Sequence, residues 1–187
     1  DNNQQLAGVL NTVDYNSENA LGTKEHKNAI LRTLLEDFEP LDLRPSQIDT
    51  KDGEIPADVI GDAYEYMIGE FARMAGKKAG SFYTPAAVSE IMAQIVNVQP
   101  GDRVYDPTCG SGSLLIKTAK KQNANQVTIY GQEVNGSSVA MAKMNMYIHE
   151  IRDPKIAWGD TLANPAFKDD DGNLLLFDAI VANMPFS

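Results

Sequence analysis

The chain has 187 residues, of which 26 are Asp or Glu and 16 are Lys or Arg, so its formal net charge at pH 7 is −10. Hydrophobic residues make up 43 % of the chain, which is too large a share for a disordered polypeptide. The excess of acidic residues argues against a protein that grips nucleic acid by itself through a broad basic surface.

The sequence also bears on membrane association, on the redox compartment and on whether the chain is a fragment. No stretch approaches the roughly 20 apolar residues of a membrane-spanning helix, so we expect no membrane association. The lone cysteine, Cys109, excludes an internal disulfide and is typical of a protein in the reducing cytoplasm. The chain starts at Asp1 and stops at Ser187, and we expect both ends to be cuts within a longer protein.

Residues 1–79 are expected to form a helical N-terminal region. Apolar residues recur at helical spacing between Ile30 and Phe38, and again between Val59 and Phe71. No acid–base pair and no metal-ligand spacing accompanies them. We therefore predict a helical bundle or an interaction surface here, without catalytic residues.

Residues 80–187 are expected to form a second region, because strand and helix patterns alternate there. A helix is predicted after Pro85, with an apolar stripe at Val88, Ile91, Met92 and Ile95. Four apolar runs predict strands, at residues 103–105, 126–131, 155–158 and 177–182. This alternation predicts an α/β fold with a parallel sheet, whose last strand we expect to be buried on both faces. Four strands do not complete such a sheet, so we expect it to be truncated after the fourth.

The first segment with chemical character follows the first predicted strand and runs from Asp106 to Leu114. Its glycines permit a tight turn and a close approach to a ligand, but it has neither the glycine spacing of a dinucleotide fold nor the lysine of a phosphate loop. Asp106 at the strand tip would repel a pyrophosphate and suits a cationic ligand. S-Adenosylmethionine has an ammonium and a sulfonium and no phosphate, so this loop favours that cofactor.

Two further acidic residues follow the next two predicted strands. Glu133 lies about 21 residues after Gly112, which places it to hold ribose hydroxyls. Asp160 is placed to accept a hydrogen bond from an adenine amino group. The alternative for Asp160 is an ordinary solvated turn.

The fourth segment, Asn183-Met184-Pro185-Phe186, follows the last predicted strand. Taken in order with Phe82-Tyr83-Thr84-Pro85, Asp106, Glu133 and Asp160, it resembles the motifs of amino-group DNA methyltransferases. The chain is most similar to the modification subunits of type I restriction–modification systems, and the segment from Gly69 to Pro85 separates that family from others. The resemblance covers residues 58–187.

The resemblance implies an S-adenosylmethionine-dependent, Rossmann-like methyltransferase that methylates the N6 amino group of an adenine flipped out of DNA. It implies that Asn183 and the carbonyl of Met184 accept the two adenine N–H groups, that Pro185 keeps Met184 extended and that Phe186 stacks on the base. The cofactor contacts that it implies come from Tyr83, Thr84, Pro85, Asp106, Gly110, Ser111, Gly112, Glu133 and Asp160.

Met184 departs from the family pattern, which usually has proline there. Because the proposed role needs only a carbonyl, we expect activity to be retained but weakened by the lost rigidity. Two other features, one cysteine and one acidic segment, are set aside. Cys109 has no visible base beside it, and Asp169-Asp170-Asp171-Gly172 lacks the glutamate of a calcium loop, so we expect a solvated turn and no metal site.

Partners follow from the resemblance alone. It implies that a separate specificity subunit reads the DNA sequence and that a restriction subunit cleaves, and this chain has no visible element that reads base edges. Two alternatives stay open at this point. A similar motif also serves enzymes that methylate the amide nitrogen of a protein glutamine. A non-catalytic module for cofactor binding or assembly is allowed by Met184 and by the expected truncation after the fourth strand.

Overall fold

The protein is described here from a computed structural model that defines residues 9, 14, 16–18, 22–41, 59–75, 83–121 and 126–184. The chain forms two compact units, one of residues 13–60 and the other of residues 1–12 together with 61–187. The domain boundary expected between residues 79 and 80 stays a prediction.

In the smaller unit, helix α1 spans Lys24–Phe38, which confirms the helix predicted around Ile30. None of its residues is buried. Four of its large apolar side chains are 42 to 72 % exposed, at Ile30, Leu34, Leu35 and Phe38. Among the described residues, the predicted apolar face of α1 is therefore present but uncovered.

The remaining helices and strands alternate along the chain. The helices are α2 (Val59–Ala75), α3 (Ala86–Val96), α4 (Ser113–Lys120) and α5 (Gly136–Ile148). The strands are β1 (Arg103–Asp106), β2 (Thr128–Glu133), β3 (Lys155–Trp158) and β4 (Ala179–Ile180). They form one sheet in the order β3-β2-β1-β4, and every neighbouring pair is parallel, which confirms the predicted sheet. No helix in the described part of the chain is long and apolar enough to cross a membrane.

The core lies between the two central strands and the helices that follow them. Val104 of β1 and Ile129 of β2 are at most 1 % exposed, and they pack in one cluster with Leu115 of α4 and Met146 of α5. Burying each such side chain contributes about 1.5–3 kcal/mol to folding. This packing holds the carboxyl ends of all four parallel strands along one edge of the sheet, where ligands bind in open α/β folds.

The apolar stripes predicted for α2 and α3 lie on helices, but most of their side chains do not face the core. On α2, Ile68 and Ala72 are each 2 % exposed, whereas Met67 and Phe71 are 42 % and 56 % exposed. On α3 the buried residues are Ser89 and Ala93, and of the predicted stripe only Met92 packs against the core. The buried side chains include small ones, at Ala72 of α2 and at Ser89 and Ala93 of α3, because small residues allow a close approach to their neighbours.

Strand β4 is shorter and less covered than predicted. Val181, just after it, is 2 % exposed, but Ile180 is 61 % exposed, so burial on both faces was a wrong expectation. The reason is that β4 lies at one end of the sheet, where it pairs only with β1 among the described residues. Its register is fixed by Arg103 and Asp178, since the backbone N–H of Arg103 donates to Oδ2 of Asp178 at 2.8 Å.

Candidate functional site

The loop between β1 and α4 is the centre of the candidate site. Asp106 ends β1, is 2 % exposed, and accepts a hydrogen bond from the backbone N–H of Thr108 at 2.9 Å. Gly112 begins the helix with a φ of +77°. A Cβ at Gly112 would lie 2.9 Å from Cε of Met146, so both the backbone conformation and the close packing on α5 require glycine.

Glu133, at the end of β2, ties this loop to the neighbouring strand. Its Oε2 accepts the N–H of Gly110 at 3.0 Å, and its Oε1 accepts the N–H of Asn135 at 2.7 Å. The side chain is 5 % exposed. A carboxylate offers about four acceptor positions, so both oxygens keep capacity for another donor such as a hydroxyl.

Asn145 on α5 forms hydrogen bonds with the same loop. Its Nδ2 donates to the carbonyl of Ser111 at 3.1 Å and lies 3.3 Å from Oγ of Ser113. It is fully buried, at 0 % exposure. No sequence motif distinguishes Asn145, because the pattern of α5 is that of an apolar packing helix.

Cys109 lies inside the loop, 6 % exposed, with its backbone N–H donating to the carbonyl of Gln132 at 3.0 Å. Burial, reinforced by the nearby carboxylates of Asp106 and Glu133, raises the pKa of the thiol well above its ordinary value. A thiol with a raised pKa is a poor nucleophile at neutral pH. The buried thiol of Cys109 is therefore poorly suited to act as a nucleophile.

One cleft opens on the α3 side of the loop, and we call it the first cleft. Six of the predicted site residues line it, namely Tyr83, Thr84, Asp106, Gly110, Ser111 and Asn183. Within it, Nδ2 of Asn183 donates to Oγ1 of Thr84 at 3.3 Å. Because the amide nitrogen is turned to Thr84, Oδ1 of Asn183 is the atom left to accept a hydrogen bond.

A second cleft lies on the other side of the loop. Its lining includes Glu133 and Asp160 together with Pro107, Thr108, Val134, Asn135, Thr161 and Leu162. Val134 and Leu162 are 64 % and 96 % exposed, so they present apolar surface beside the two carboxylates. Oδ1 of Asp160 accepts the N–H groups of Leu162 at 2.9 Å and Ala163 at 3.2 Å. Asp160 therefore does form a turn, and that turn is part of a cleft wall.

Thr108 lines both clefts and marks the place where they meet. Its Oγ1 is buried close to the carboxyl of Asp106, and this hydroxyl partly offsets the rise in the pKa of that carboxyl. No motif in the sequence distinguishes Thr108 from other loop threonines.

The charge of the two clefts has one sign. Among the described residues that line them there are three carboxylates, of Asp106, Glu133 and Asp160, and no Lys, Arg or His. Burial raises the pKa of Asp106 to about 7, and the carboxylate of Glu133 adds to the rise. Such clefts attract a cation and repel a phosphate. They are therefore suited to a positively charged ligand that carries no phosphate.

The other predicted site residues are Pro85, Gly112, Met184, Pro185 and Phe186. Neither Pro85, at the N-terminus of α3, nor Gly112 is among the residues that line the two clefts. Met184 is 61 % exposed, and Pro185 and Phe186 fall outside the described residues. The acidic segment near Asp169 folds as a turn. In it, Oδ1 of Asp169 accepts the N–H of Asn173 at 2.8 Å.

Comparison with known proteins gives a consistent result. Residues 56–187 match the family described as N-6 DNA Methylase. The methylase subunit of the type I restriction enzyme MpnII from Mycoplasma pneumoniae is 38 % identical over 140 residues, which cover 70 % of this chain and 26 % of that protein. The methylase subunit of the type I enzyme EcoEI from Escherichia coli is 30 % identical over 169 residues, which cover 84 % of this chain and 32 % of that protein. The chain thus spans about a quarter to a third of these relatives.

Two solved structures share the fold of this chain. The methyltransferase subunit of a type I restriction–modification system from Streptococcus thermophilus superposes with a TM-score of 0.74 at 27 % identity, over 96 % of this chain and 37 % of that one. A putative class I S-adenosylmethionine-dependent methyltransferase from Listeria monocytogenes, at 14 % identity and a TM-score of 0.56, shares the fold over 96 % of this chain and 49 % of that one. The fold is that of S-adenosylmethionine-dependent methyltransferases, as the sequence motifs indicated, and the chain belongs to the N-6 DNA methylase family.

Proposed function

We propose that the chain is part of the modification subunit of a type I restriction–modification system, which methylates the N6 amino group of adenine in DNA. The relatives named as type I methylase subunits support this proposal. The observation that carries it is the meeting of two acidic clefts beside Asn183, at the carboxyl edge of the sheet, with no basic side chain among the described residues that line them.

S-Adenosylmethionine fits the donor set of the two clefts. Its ammonium and sulfonium match the carboxylates, and its lack of phosphate matches a lining whose described residues include no Lys, Arg or His. When bound, this cofactor supplies an electrophilic methyl group. Tyr83, Thr84, Asp106, Gly110 and Ser111 would hold its amino-acid end.

Glu133 and Asp160 would hold the adenosine end in the second cleft. Glu133 would accept the ribose hydroxyls with the capacity that its two backbone contacts leave. Asp160 would accept the adenine amino group, beside the exposed apolar side chains of Val134 and Leu162. Pro85 and Gly112 would act through backbone shape, by starting α3 and by turning the loop into α4.

Asn183 and Met184 would act on the target base. The exocyclic nitrogen of adenine is a weak nucleophile, because its lone pair is delocalised into the ring. Oδ1 of Asn183 and the carbonyl of Met184 would accept its two N–H groups and hold them more strongly as positive charge develops, which stabilises the transition state selectively. Phe186 would stack on the extruded base, and Pro185 would keep Met184 extended.

Partner subunits would supply DNA binding and sequence recognition. A chain with a net charge of −10 needs help to hold a polyanion, and we assign that task to the specificity subunit and cleavage to the restriction subunit. We place the system in the cytoplasm, in keeping with a lone cysteine that is buried and unpaired by any disulfide.

The test is a methyl-transfer assay on the full-length protein together with its co-purified subunits. Labelled S-adenosylmethionine is added with DNA, and the label is followed into DNA and into protein. Label in DNA supports the proposal. Label in protein instead would favour a glutamine methyltransferase, and bound cofactor without any transfer would favour an assembly module.

A further inference from the structure

Gln132 is a buried polar residue outside the lining of both clefts. It lies on β2 between Gly131 and Glu133, and its exposure is 0 %. Burying a side-chain amide is costly unless its donor and acceptor are both hydrogen-bonded. Its partners therefore show what structure the residue stabilises.

Both partners of Gln132 are backbone groups in the loop that follows β3. Nε2 donates to the carbonyl of Asn164 at 3.0 Å, and Oε1 accepts the N–H of Ala166 at 3.0 Å. One side chain thus holds the backbone on either side of Pro165, as a neighbouring strand would. The contact spans 32 and 34 residues of sequence, so local structure does not create it.

The segment that Gln132 holds is a closed turn that we call the Asp160 turn, residues 160–164. The N–H of Asn164 donates to the carbonyl of Asp160 at 2.8 Å, and the side chain of Asp160 accepts two more N–H groups inside the turn. At its start, the N–H of Gly159 donates to the carbonyl of Glu133 at 2.9 Å. Internally closed and attached at its start, the turn is held at its far end by Gln132.

We infer that Gln132 is a positioning residue for the adenosine end of the cofactor, acting through the Asp160 turn. The inference rests on the proposed function, which assigns Asp160 and Glu133 to that end. Loops that carry binding residues lose conformational freedom when a ligand orders them, and a turn ordered beforehand avoids that cost. Gln132 orders the turn from a strand that also carries Glu133, so the two carboxylates keep a fixed relation.

The experiment measures binding to the full-length protein by titration calorimetry with two ligands, S-adenosylmethionine and 5′-methylthioadenosine, which lacks the amino-acid end. Gln132→Met keeps the length of the side chain and removes both hydrogen bonds. It is expected to weaken both ligands by the same factor, about tenfold, as the loss of about 1.4 kcal/mol would. In the intact complex the loss falls mainly on KM for the cofactor rather than on kcat.

Thr118→Val is the matched control. The hydroxyl of Thr118 is buried and donates to the carbonyl of Leu114 within α4, at 2.8 Å, away from both clefts. It removes a buried hydrogen bond of comparable worth, so it separates lost stability from lost positioning. We expect it to leave both affinities within about twofold of wild type.

A second variant guards against misfolding of Gln132→Met. Ala166 is exposed, and Ala166→Pro removes the N–H that Gln132 accepts without changing the core, with Ala166→Ser as its control. The inference is overturned if folded Gln132→Met binds both ligands as wild type does, or if only S-adenosylmethionine is weakened. If wild type binds neither ligand, the proposed function itself is wrong, which is a different result.

Discussion

Thr84 and Asn183 are 99 residues apart in the chain, yet Nδ2 of Asn183 donates to Oγ1 of Thr84 at 3.3 Å. This contact joins the segment before α3 to the segment after β4. In this arrangement the amide nitrogen of Asn183 faces Thr84, and Oδ1 of Asn183 is left to accept a hydrogen bond. The threonine that the sequence analysis assigned to the cofactor thus also bears on the residue assigned to the base.

Replacing Thr84 tests the orientation of that amide. Thr84→Val removes the acceptor, so the amide of Asn183 can reverse, and we expect the rate of methyl transfer to fall about tenfold through loss of one hydrogen bond. Thr84→Ser keeps the hydroxyl and should restore most of the rate. Single-turnover kinetics at saturating cofactor measure the effect, and equal rates for the two variants would refute it.

The buried carboxyl of Asp106 predicts a pH dependence of cofactor binding. Its pKa is raised to about 7 by burial and by Glu133, so it changes charge near neutrality. A cationic ligand prefers the ionised form, and affinity for S-adenosylmethionine should therefore increase between about pH 6 and 7.5. Calorimetric titrations across this range measure it. Asp106→Asn should bind weakly with a flat pH profile, and an equally steep profile in that variant would contradict the assignment.

The same carboxyl predicts the opposite trend for stability. Between the unfolded pKa of about 4 and the folded value of about 7, the native state binds more protons than the unfolded state. The contribution of Asp106 to the free energy of unfolding is therefore full below about pH 4 and lost as the pH rises through about 7. Asp106→Asn should be more stable than wild type at pH 8, as thermal unfolding without cofactor would show.

Two glycines form a matched pair for the loop geometry. Gly112 has a φ of +77° and its Cβ would meet Met146 at 2.9 Å, whereas Gly101 has a φ of +95° and open space around it. Each Gly→Ala change should cost about 1–2 kcal/mol of unfolding free energy from the backbone alone. Gly112→Ala should cost more, because of the contact, and should also weaken cofactor binding. Chemical denaturation measures the unfolding free energies of the two variants. Equal costs would show that the side chain of Met146 moves aside without a penalty.

Met184 offers a variant that should gain activity. Met184→Pro restores the residue usual in the resembling family and fixes φ, which reduces the freedom lost on forming the active conformation. We expect turnover in the intact complex to increase about two- to fivefold, corresponding to 0.4–1 kcal/mol. An unchanged turnover would show that the rigidity of this position does not limit the reaction.

The sheet and the gathering of the site were predictable because they depend on short-range patterns. Alternating strands and helices dictate a parallel sheet, and parallel strands bring their carboxyl ends together. Asp106 and Glu133 each end a strand, and Asn183 follows β4 closely, so the motifs meet at one edge. Glycine spacing and charge were enough to favour a cationic ligand over a phosphate.

The rest depends on partners that a linear pattern does not name. Periodicity shows that Met67 and Phe71 lie on an apolar stripe of α2, but not which face its neighbours cover, and the helix buries Ile68 and Ala72 instead. Likewise the hydrogen bonds of Gln132 reach a loop 32 to 34 residues away. Such contacts are set by the three-dimensional fold, and sequence spacing alone does not specify them.

The most direct measurement of the central claim identifies the methylated atom. Full-length protein with its specificity subunit is incubated with labelled S-adenosylmethionine and DNA, and the DNA is hydrolysed to nucleosides and separated. We expect label in N6-methyladenine. We also expect the rate of transfer to fall at least about 100-fold in Asn183→Ala, with cofactor affinity nearly unchanged. Label in a methylated cytosine, or Asn183→Ala transferring as fast as wild type, would contradict it.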